Sequence, residues 1–599
     1  MQINNEQLTT NSEQRTTDYI WLLNCALITA VAAFLRFFAL ALKPFHHDEG
    51  VNGFFLTTLF RDGVYKYDPA NYHGPTLYYI ALAFAKVFGL ETVTVRASVA
   101  IFGVLTVVLV FFLKRYIGKI GSLTAGLFIA LSPGVVFISR YFIHEIFFVF
   151  LSLAIVISVL FFIEKPKAGP FAVAWMVLLL LVCFLPSALI LANYLGGTNP
   201  TAVWTFRLAF FIVEAVLVFF VMRMLLAWDG GRPIYLLLAS ASVALMFATK
   251  ETAFITIGTM LIACVSLWVW QKIYRKKETD GVVDEISNGA ITWPNFLHAL
   301  GGGTDRLLIF AAVATVFVYV FVLFFSSFFS YPEGIQKAID AYTIWTKTGS
   351  KDHTQNGTWG YLKWGMDIEA PILILSAIGT LIAFIKSCHR VAMFTGLWAF
   401  GLFAAYSIIP YKTPWLSLSF LLPMCLIGGY GINELARSKN AAAKAAAGLL
   451  AVAAVAVLGY KAYDLNFVNY ANNDKTYVYA HTKKEFLDMI AKIEGYAEKS
   501  GKGKETAIDI VSPDYWPMVW YMREYKNAVF HGQMNNSDTA EMIVAKKGDQ
   551  DRDVIAKFSA KYKYDGIYPL RPGVDLILLV RNDLADGDAK ELYRLRNSN

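Results

Sequence analysis

Two adjacent carboxylates flanked by imidazoles stand at the end of the first long apolar run. They read His46-His47-Asp48-Glu49-Gly50, and Asn71-Tyr72-His73-Gly74-Pro75 follows in the same polar stretch. Titratable groups placed where a membrane span ends are costly, which marks them as a functional-site hypothesis. Neighbouring loop carboxylates cannot both point the same way. One can face a substrate while the other orients it. An Asp with a reference pKa of about 3.9 is ionised at neutral pH and can act as general base toward a hydroxyl. The plainer reading of Asp48 is a solvated acid favoured by a helix N-terminus; His46, His47 and His73 in the same loop favour chemistry.

Two more charged junctions fall between apolar runs. In Ser139-Arg140-Tyr141-Phe142-Ile143-His144-Glu145, Arg140 offers a planar fixed charge suited to phosphate or carboxylate, and His144 and Glu145 open the next helix. Thr249-Lys250-Glu251-Thr252 offers a second cation. The structural alternatives are an Arg–Glu pair closing a turn, and a Lys250 that snorkels to the interface. Arg36 lies inside the first run, where it either pairs with Glu214 or meets a lipid phosphate. Lys412, within Tyr411-Lys412-Thr413-Pro414-Trp415, is a further cation unless the turn is only an aromatic interfacial anchor. Asp352 and His353 are too isolated to interpret.

The elements that must hold these groups are membrane helices. Of 599 residues, 56% are hydrophobic and only 16% charged, well below the quarter typical of soluble domains. Stretches long enough for a hydrocarbon core occur about thirteen times: 19–42, 92–113, 120–138, 143–163, 171–193, 203–227, 233–249, 253–271, 306–329, 370–386, 391–409, 416–434 and 441–460. The run 19–42 lacks the basic flank and cleavage site of a signal peptide and reads as a retained span. The stretch 76–90 is short and reads as a re-entrant or surface helix.

Basic residues fall in alternate loops. Lys114-Arg115 with Lys119, Lys165 with Lys167, Arg223 with Arg232, Arg275-Lys276-Lys277, Lys386 with Arg390, and Arg437 with Lys439 mark one side as cytoplasmic. The N-terminus is then cytoplasmic, and the chemical clusters and the C-terminus are external. The net charge of +8 follows from these topology signals and points to no nucleic-acid partner.

Residues 461–599 form a second domain. Lys483–Glu498 and Asp551–Tyr562 pattern as helices, and Thr506–Val511, Met542–Ala545 and Leu576–Val580 as buried strands. The first domain is 1–460, with its first external loop at 43–91. Cys25, Cys183, Cys264, Cys388 and Cys425 show neither disulfide nor zinc spacing and read as packing residues. No internal repeat is visible, which disfavours duplicated transporter folds.

On these residues the chain resembles the GT-C superfamily of membrane glycosyltransferases, within the protein O-mannosyltransferase and aminoarabinose transferase group. The combination His-His-Asp-Glu-Gly, Tyr-His-Gly-Pro-Thr and Tyr-Lys-Thr-Pro-Trp-Leu is most similar to the prokaryotic flippase-activity-associated family. The resemblance covers roughly residues 19–435. It departs in the His-Glu pair after Arg140, where Leu-Asp is commoner, and in the Lys-Glu turn, which lacks a Lys-Gly-Pro.

The resemblance implies a polytopic α-helical GT-C fold with a small external α/β domain. It also implies a hexosyl- or pentosyltransferase using a polyprenyl-phosphate sugar as donor and a glycan, lipid or protein as acceptor. Asp48, Glu49 and Glu145 are then the expected catalytic residues. His47, His73, Arg36, Arg140, His144, Lys250, Glu251 and Lys412 are expected to bind substrate. No cofactor is demanded, although carboxylate with imidazole would suit a divalent Mn, Mg or Zn ion. The alternatives are a lipid-linked glycan transporter or flippase component, and a non-catalytic partner in an envelope glycan assembly complex.

Overall fold

The computed structural model describes residues 3–71, 73–274, 291–348, 357–387, 389–535 and 538–597. The basic loop Arg275-Lys276-Lys277, the pair Asp352 and His353, and Cys388 lie outside the described residues. Among the described residues, ten helices are long and apolar enough to cross a membrane. Two further apolar helix pairs are bent, each a broken span or a re-entrant loop: Lys119–Leu131 with Pro133–Ser139, bent by 60°, and Gly360–Ile368 with Ala370–Lys386, bent by 108°.

Both breaks have a local cause. Pro133 and Pro371 occupy the first turn of the second half of each pair, where a missing N–H costs nothing but the preceding helix cannot continue. The breaks also hold each other. Glu369, in the second, accepts hydrogen bonds from Ser132 Oγ at 2.7 Å and Gly134 N at 2.8 Å in the first.

The apolar run 233–249 forms the helix Ile234–Phe247, only 14 residues long. At 1.5 Å per residue it reaches about 21 Å, less than a hydrocarbon core. Its ends nonetheless meet opposite ends of the helix Glu145–Glu164. Arg232, just before it, donates to Phe162 O at 2.7 Å and Ile163 O at 2.9 Å, while Lys250, just after it, reaches Glu145. With its flanking turns it therefore runs alongside the whole of that helix. The stretch 76–90 is the short apolar helix Thr76–Phe88.

After the last apolar helix, Ala441–Tyr463, the chain builds a six-stranded sheet of order β2-β1-β3-β5-β4-β6. The strands are β1 Ile508–Ile510, β2 Ala528–Phe530, β3 Met542–Lys546, β4 Tyr562–Arg571, β5 Val574–Arg581 and β6 Lys590–Glu591. The helices Glu485–Lys499 and Asp551–Phe558 accompany it. Tyr562, expected to end a helix, instead starts β4. Among the described residues Cys25, Cys183, Cys264 and Cys425 are unpaired.

This domain is seated on the first polar loop. Phe45 stacks on Trp520 with ring centroids 4.6 Å apart and donates its N–H to Tyr521 Oη at 2.9 Å. Trp520 Nε1 donates to Thr92 Oγ1 at 3.1 Å, and Arg523 to Leu90 O at 2.9 Å.

Candidate functional site

Asp48 and Glu49 open the helix His47–Asp62 and have opposite fates. Glu49 folds back in a capping box, accepting from His46 N at 2.9 Å. Its other partners are Arg96, bonded in bidentate fashion at 2.7 Å and 2.6 Å, and Phe142 N at 2.8 Å. Both members of the pair have side chains with 0% exposure. With both oxygens engaged, Glu49, expected to be catalytic, supports the loop in this structure. Asp48 keeps 42% of its side chain exposed, with His46 Nδ1 3.9 Å away, so its carboxylate is the one open to an incoming molecule.

Arg96 carries the loop further. Its Nη1 donates to Leu40 O at 2.7 Å and Lys43 O at 2.9 Å, and Nη2 to Pro44 O at 3.1 Å. Nothing in the motif reading selected Arg96; the available signal was a lone arginine at the start of an apolar run. Lys43 was missed too. It is buried, with Nζ 3.4 Å from the Phe137 ring centroid. Burial, followed by the charges of Arg140 and Arg96, holds its ammonium well below the ordinary lysine range, and Glu49 opposes them. His46 is tied at both nitrogens, Nδ1 to Asp48 N at 3.2 Å and Nε2 to Tyr479 O at 2.9 Å.

The second group gathers around Lys250. Its Nζ lies 2.5 Å from Glu145 Oε1, and both side chains are buried. Glu251 is 3.3 Å from His73 Nδ1, whose side chain is one-third exposed. The His73 and His144 rings are 4.9 Å apart. His144 Nε2 meets Gly74 O at 3.3 Å, and its Nδ1 is buried with no partner. The turn that carries His73 docks backbone to backbone: Gly74 N donates to Thr249 O and Thr76 N to Ala248 O, both at 3.1 Å. A Cβ on Gly74 would stand 2.1 Å from Ala248 O, so only glycine permits this approach.

A chain of contacts joins the two groups. Asn52 donates to Phe142 O at 2.8 Å and accepts from Tyr78 Oη at 2.9 Å. The Tyr78 ring stands edge-on to His144 at 5.6 Å. His73, His144, Glu145, Lys250 and Glu251 thus come together, and the 142–145 turn connects them to the Asp48 loop.

The arginines expected to bind phosphate are directed elsewhere. Arg140 Nη1 and Nη2 donate to Phe38 O at 2.6 Å, Leu35 O at 2.9 Å and Ala39 O at 2.9 Å, closing the carbonyl end of the first span. Arg36 does the same for the helix Lys119–Leu131 through Ile129 O at 2.9 Å and Ala130 O at 3.2 Å. Unsatisfied carbonyls at a helix end attract cations. Arg36 accordingly makes no pair with Glu214, whose carboxylate oxygens are buried without a hydrogen-bond partner. Lys412 donates to Ile409 O at 2.6 Å.

His47 faces the C-terminal domain, its Nδ1 3.3 Å from Arg571 Nη1. Burial lowers its pKa, against the pull of the Asp48 charge. Arg571 in turn pairs with Asp514. Among the described residues no group of three or more His, Cys, Asp or Glu side chains is placed to hold a metal ion. Glu49 and His46 are already bonded to protein.

Comparisons with known proteins agree with this architecture. The family model for dolichyl-phosphate-mannose-protein mannosyltransferase matches residues 56–198. No curated protein sequence matches the chain. Apo ArnT from Cupriavidus metallidurans superposes with a TM-score of 0.56 at 14% identity, over 96% of this chain and 99% of ArnT. ArnT bound to undecaprenyl phosphate gives 0.55 at 14% identity, over 94% and 98%. The chain has the fold seen in ArnT, a polytopic helical membrane body with a small C-terminal α/β domain, and within it residues 56–198 are similar to the mannosyltransferase family model.

Proposed function

We propose that the chain is an inverting membrane glycosyltransferase. It takes a hexosyl or pentosyl group from a polyprenyl-phosphate-linked donor and passes it to an acceptor hydroxyl on the external face of the membrane. The observation that carries this reading is the division of the site. One open carboxylate, Asp48, stands in a loop fixed by Glu49 and Arg96, and the turn that loop holds leads to the cation Lys250.

The acceptor oxygen attacks the anomeric carbon and forms the new glycosidic bond. The bond from that carbon to the phosphate oxygen breaks, leaving its electron pair on polyprenyl phosphate, and the hydroxyl proton passes to Asp48. A phosphate leaving group needs no acid but gains from a nearby cation as its charge develops. Lys250 fits that role. An ammonium has three hydrogens, and Glu145 is its single hydrogen-bond partner among the described residues. Glu145 therefore holds the cation, and His73, partly exposed beside Glu251, lines the same side. No step is assigned to a metal.

The undecaprenyl phosphate seen on ArnT supports the donor class, and the alternating basic loops support the external face. The test is to incubate the purified protein with polyprenyl-phosphate hexoses and pentoses, together with an extract of envelope glycans, lipids and proteins as acceptors, and assay released polyprenyl phosphate. Release from none of them, by folded protein, would end this reading.

A further inference from the structure

The strands of the C-terminal sheet share a direction that places chemistry at one edge. β1 is parallel to β2 and β3, while β4 and β3 are each antiparallel to β5. β1, β2, β3 and β4 therefore all run the same way and end at the same side of the sheet. Asp514 follows the end of β1, Lys546 ends β3, and Arg571 ends β4. These three side chains form one ionic network, with Arg571 paired to Asp514 and Lys546 Nζ 3.1 Å from Asp514 Oδ2. The carboxyl ends of parallel strands are where open α/β sheets place ligands.

That edge stands directly on the Asp48 loop. Arg571 reaches His47, and the Trp516 ring lies 6.2 Å from the His47 ring. A Cβ on Gly50 would meet Pro517 Cβ at 2.6 Å, so the loop from β1 presses on the helix that begins with His47 and Asp48. A guanidinium can only donate. His47 Nδ1 is therefore the acceptor, and the ring proton resides on Nε2. This leaves a hydrogen-bond donor beside the Asp48 acceptor.

We propose that this sheet edge, together with His47 and Asp48, is the acceptor subsite of the transferase, and that the acceptor it takes is a carbohydrate. The proposal rests on the transferase reading and names its second substrate. A sugar presents paired hydroxyl donors and acceptors on its rim and apolar C–H faces above and below. Asp514, Arg571, Lys546 and His47 supply charged or directional partners for the rim, all with part of their surface open. Half-buried Trp516 and Tyr515, with ring centroids 5.4 Å apart, supply aromatic faces with one apolar side to offer. His47, which meets this edge, directly precedes Asp48 in the chain.

The full chain in lipid nanodiscs would be titrated with di- to tetrasaccharide fragments of glucan, mannan and chitin, with binding read by saturation-transfer NMR. At least one fragment should bind wild type and bind Arg571→Ala and Trp516→Ala about tenfold or more weakly. Trp516→Phe, which keeps an aromatic face, should retain binding. Polyprenyl phosphate affinity, measured in the same nanodiscs, should be unchanged in these variants. No binding by any fragment, or equal binding by wild type and both alanine variants, would overturn the proposal. Loss of polyprenyl phosphate binding in wild type would instead strike the transferase reading, because fragment binding is read without donor.

Discussion

Arg96 holds Glu49 through two parallel hydrogen bonds, Nε to Oε1 at 2.7 Å and Nη2 to Oε2 at 2.6 Å, with neither side chain reaching solvent. Breaking a buried pair by removing one partner leaves the other charge uncompensated, at a cost of about 3–5 kcal/mol. Glu49→Gln and Arg96→Met should each lower the thermal stability of the solubilised protein, while Asp48→Asn, at an exposed carboxylate, should leave it near wild type. Thermal unfolding of the three variants checks this. Equal losses for Asp48→Asn and Glu49→Gln would refute the division of labour between the adjacent acids.

Asp48 and Lys250 should separate kinetically. Asp48→Asn keeps the size of the side chain and removes the base, so donor binding should survive while turnover falls by roughly 10²- to 10⁴-fold. Lys250→Ala removes a contact present in the bound donor and strengthened in the transition state, so donor affinity and turnover should fall together. Donor titrations and single-turnover assays on folded variants read both. A fully active Asp48→Asn protein would remove Asp48 as base.

How far the site was legible follows from what each residue bonds to. Runs of apolar residues and basic loops report burial and topology, so the spans and the polar junctions could be read. Motif spacing also brought His73, Glu145 and Lys250 into one layer. Spacing cannot show where a guanidinium points. Arg36 and Arg140 sit where a phosphate cation is plausible, and only the fold reveals the helix-end carbonyls that accept their hydrogen bonds. Arg96 was hidden for the opposite reason, since its partner Glu49 lies 47 residues away. β4 was missed because Gly566 and Pro569 interrupt its pattern; both fall at irregularities in the β4–β5 ladder.

Mild acid should loosen the junction between the domains. His481 is buried, with Nδ1 3.0 Å from Tyr141 Oη and Nε2 unpartnered. Burial, then the charges of Lys43, His46 and Arg96, puts its pKa well below the ordinary 6.5. The unfolded chain therefore takes up the proton first as pH falls through about 6.5, and folded stability drops below that point while remaining level above it. The loss from this one group should grow steadily as pH falls below about 6.5. Unfolding measured between about pH 7.5 and 5.5 should show this slope, and His481→Gln should remove about one proton's share. An unaltered slope in His481→Gln would show that other groups carry the acid sensitivity.

The side of the membrane on which the C-terminal domain lies depends on the short helix Ile234–Phe247. If it crosses, as its contacts with both ends of the helix Glu145–Glu164 imply, the C-terminal domain lies opposite the N-terminus and opposite the basic loop at Lys165 and Lys167. Gln533, near Asn535, and Lys167 are both exposed, so each can carry a reporter cysteine in a background lacking the five native cysteines. An impermeant thiol reagent added to intact cells should label Gln533→Cys at once and Lys167→Cys only after lysis. The reverse pattern would invert the orientation and place Asp48 on the cytoplasmic side. Labelling of both or neither before lysis would mean that the helix Ile234–Phe247, or the bent pair Gly360–Ile368 with Ala370–Lys386, turns back instead of crossing.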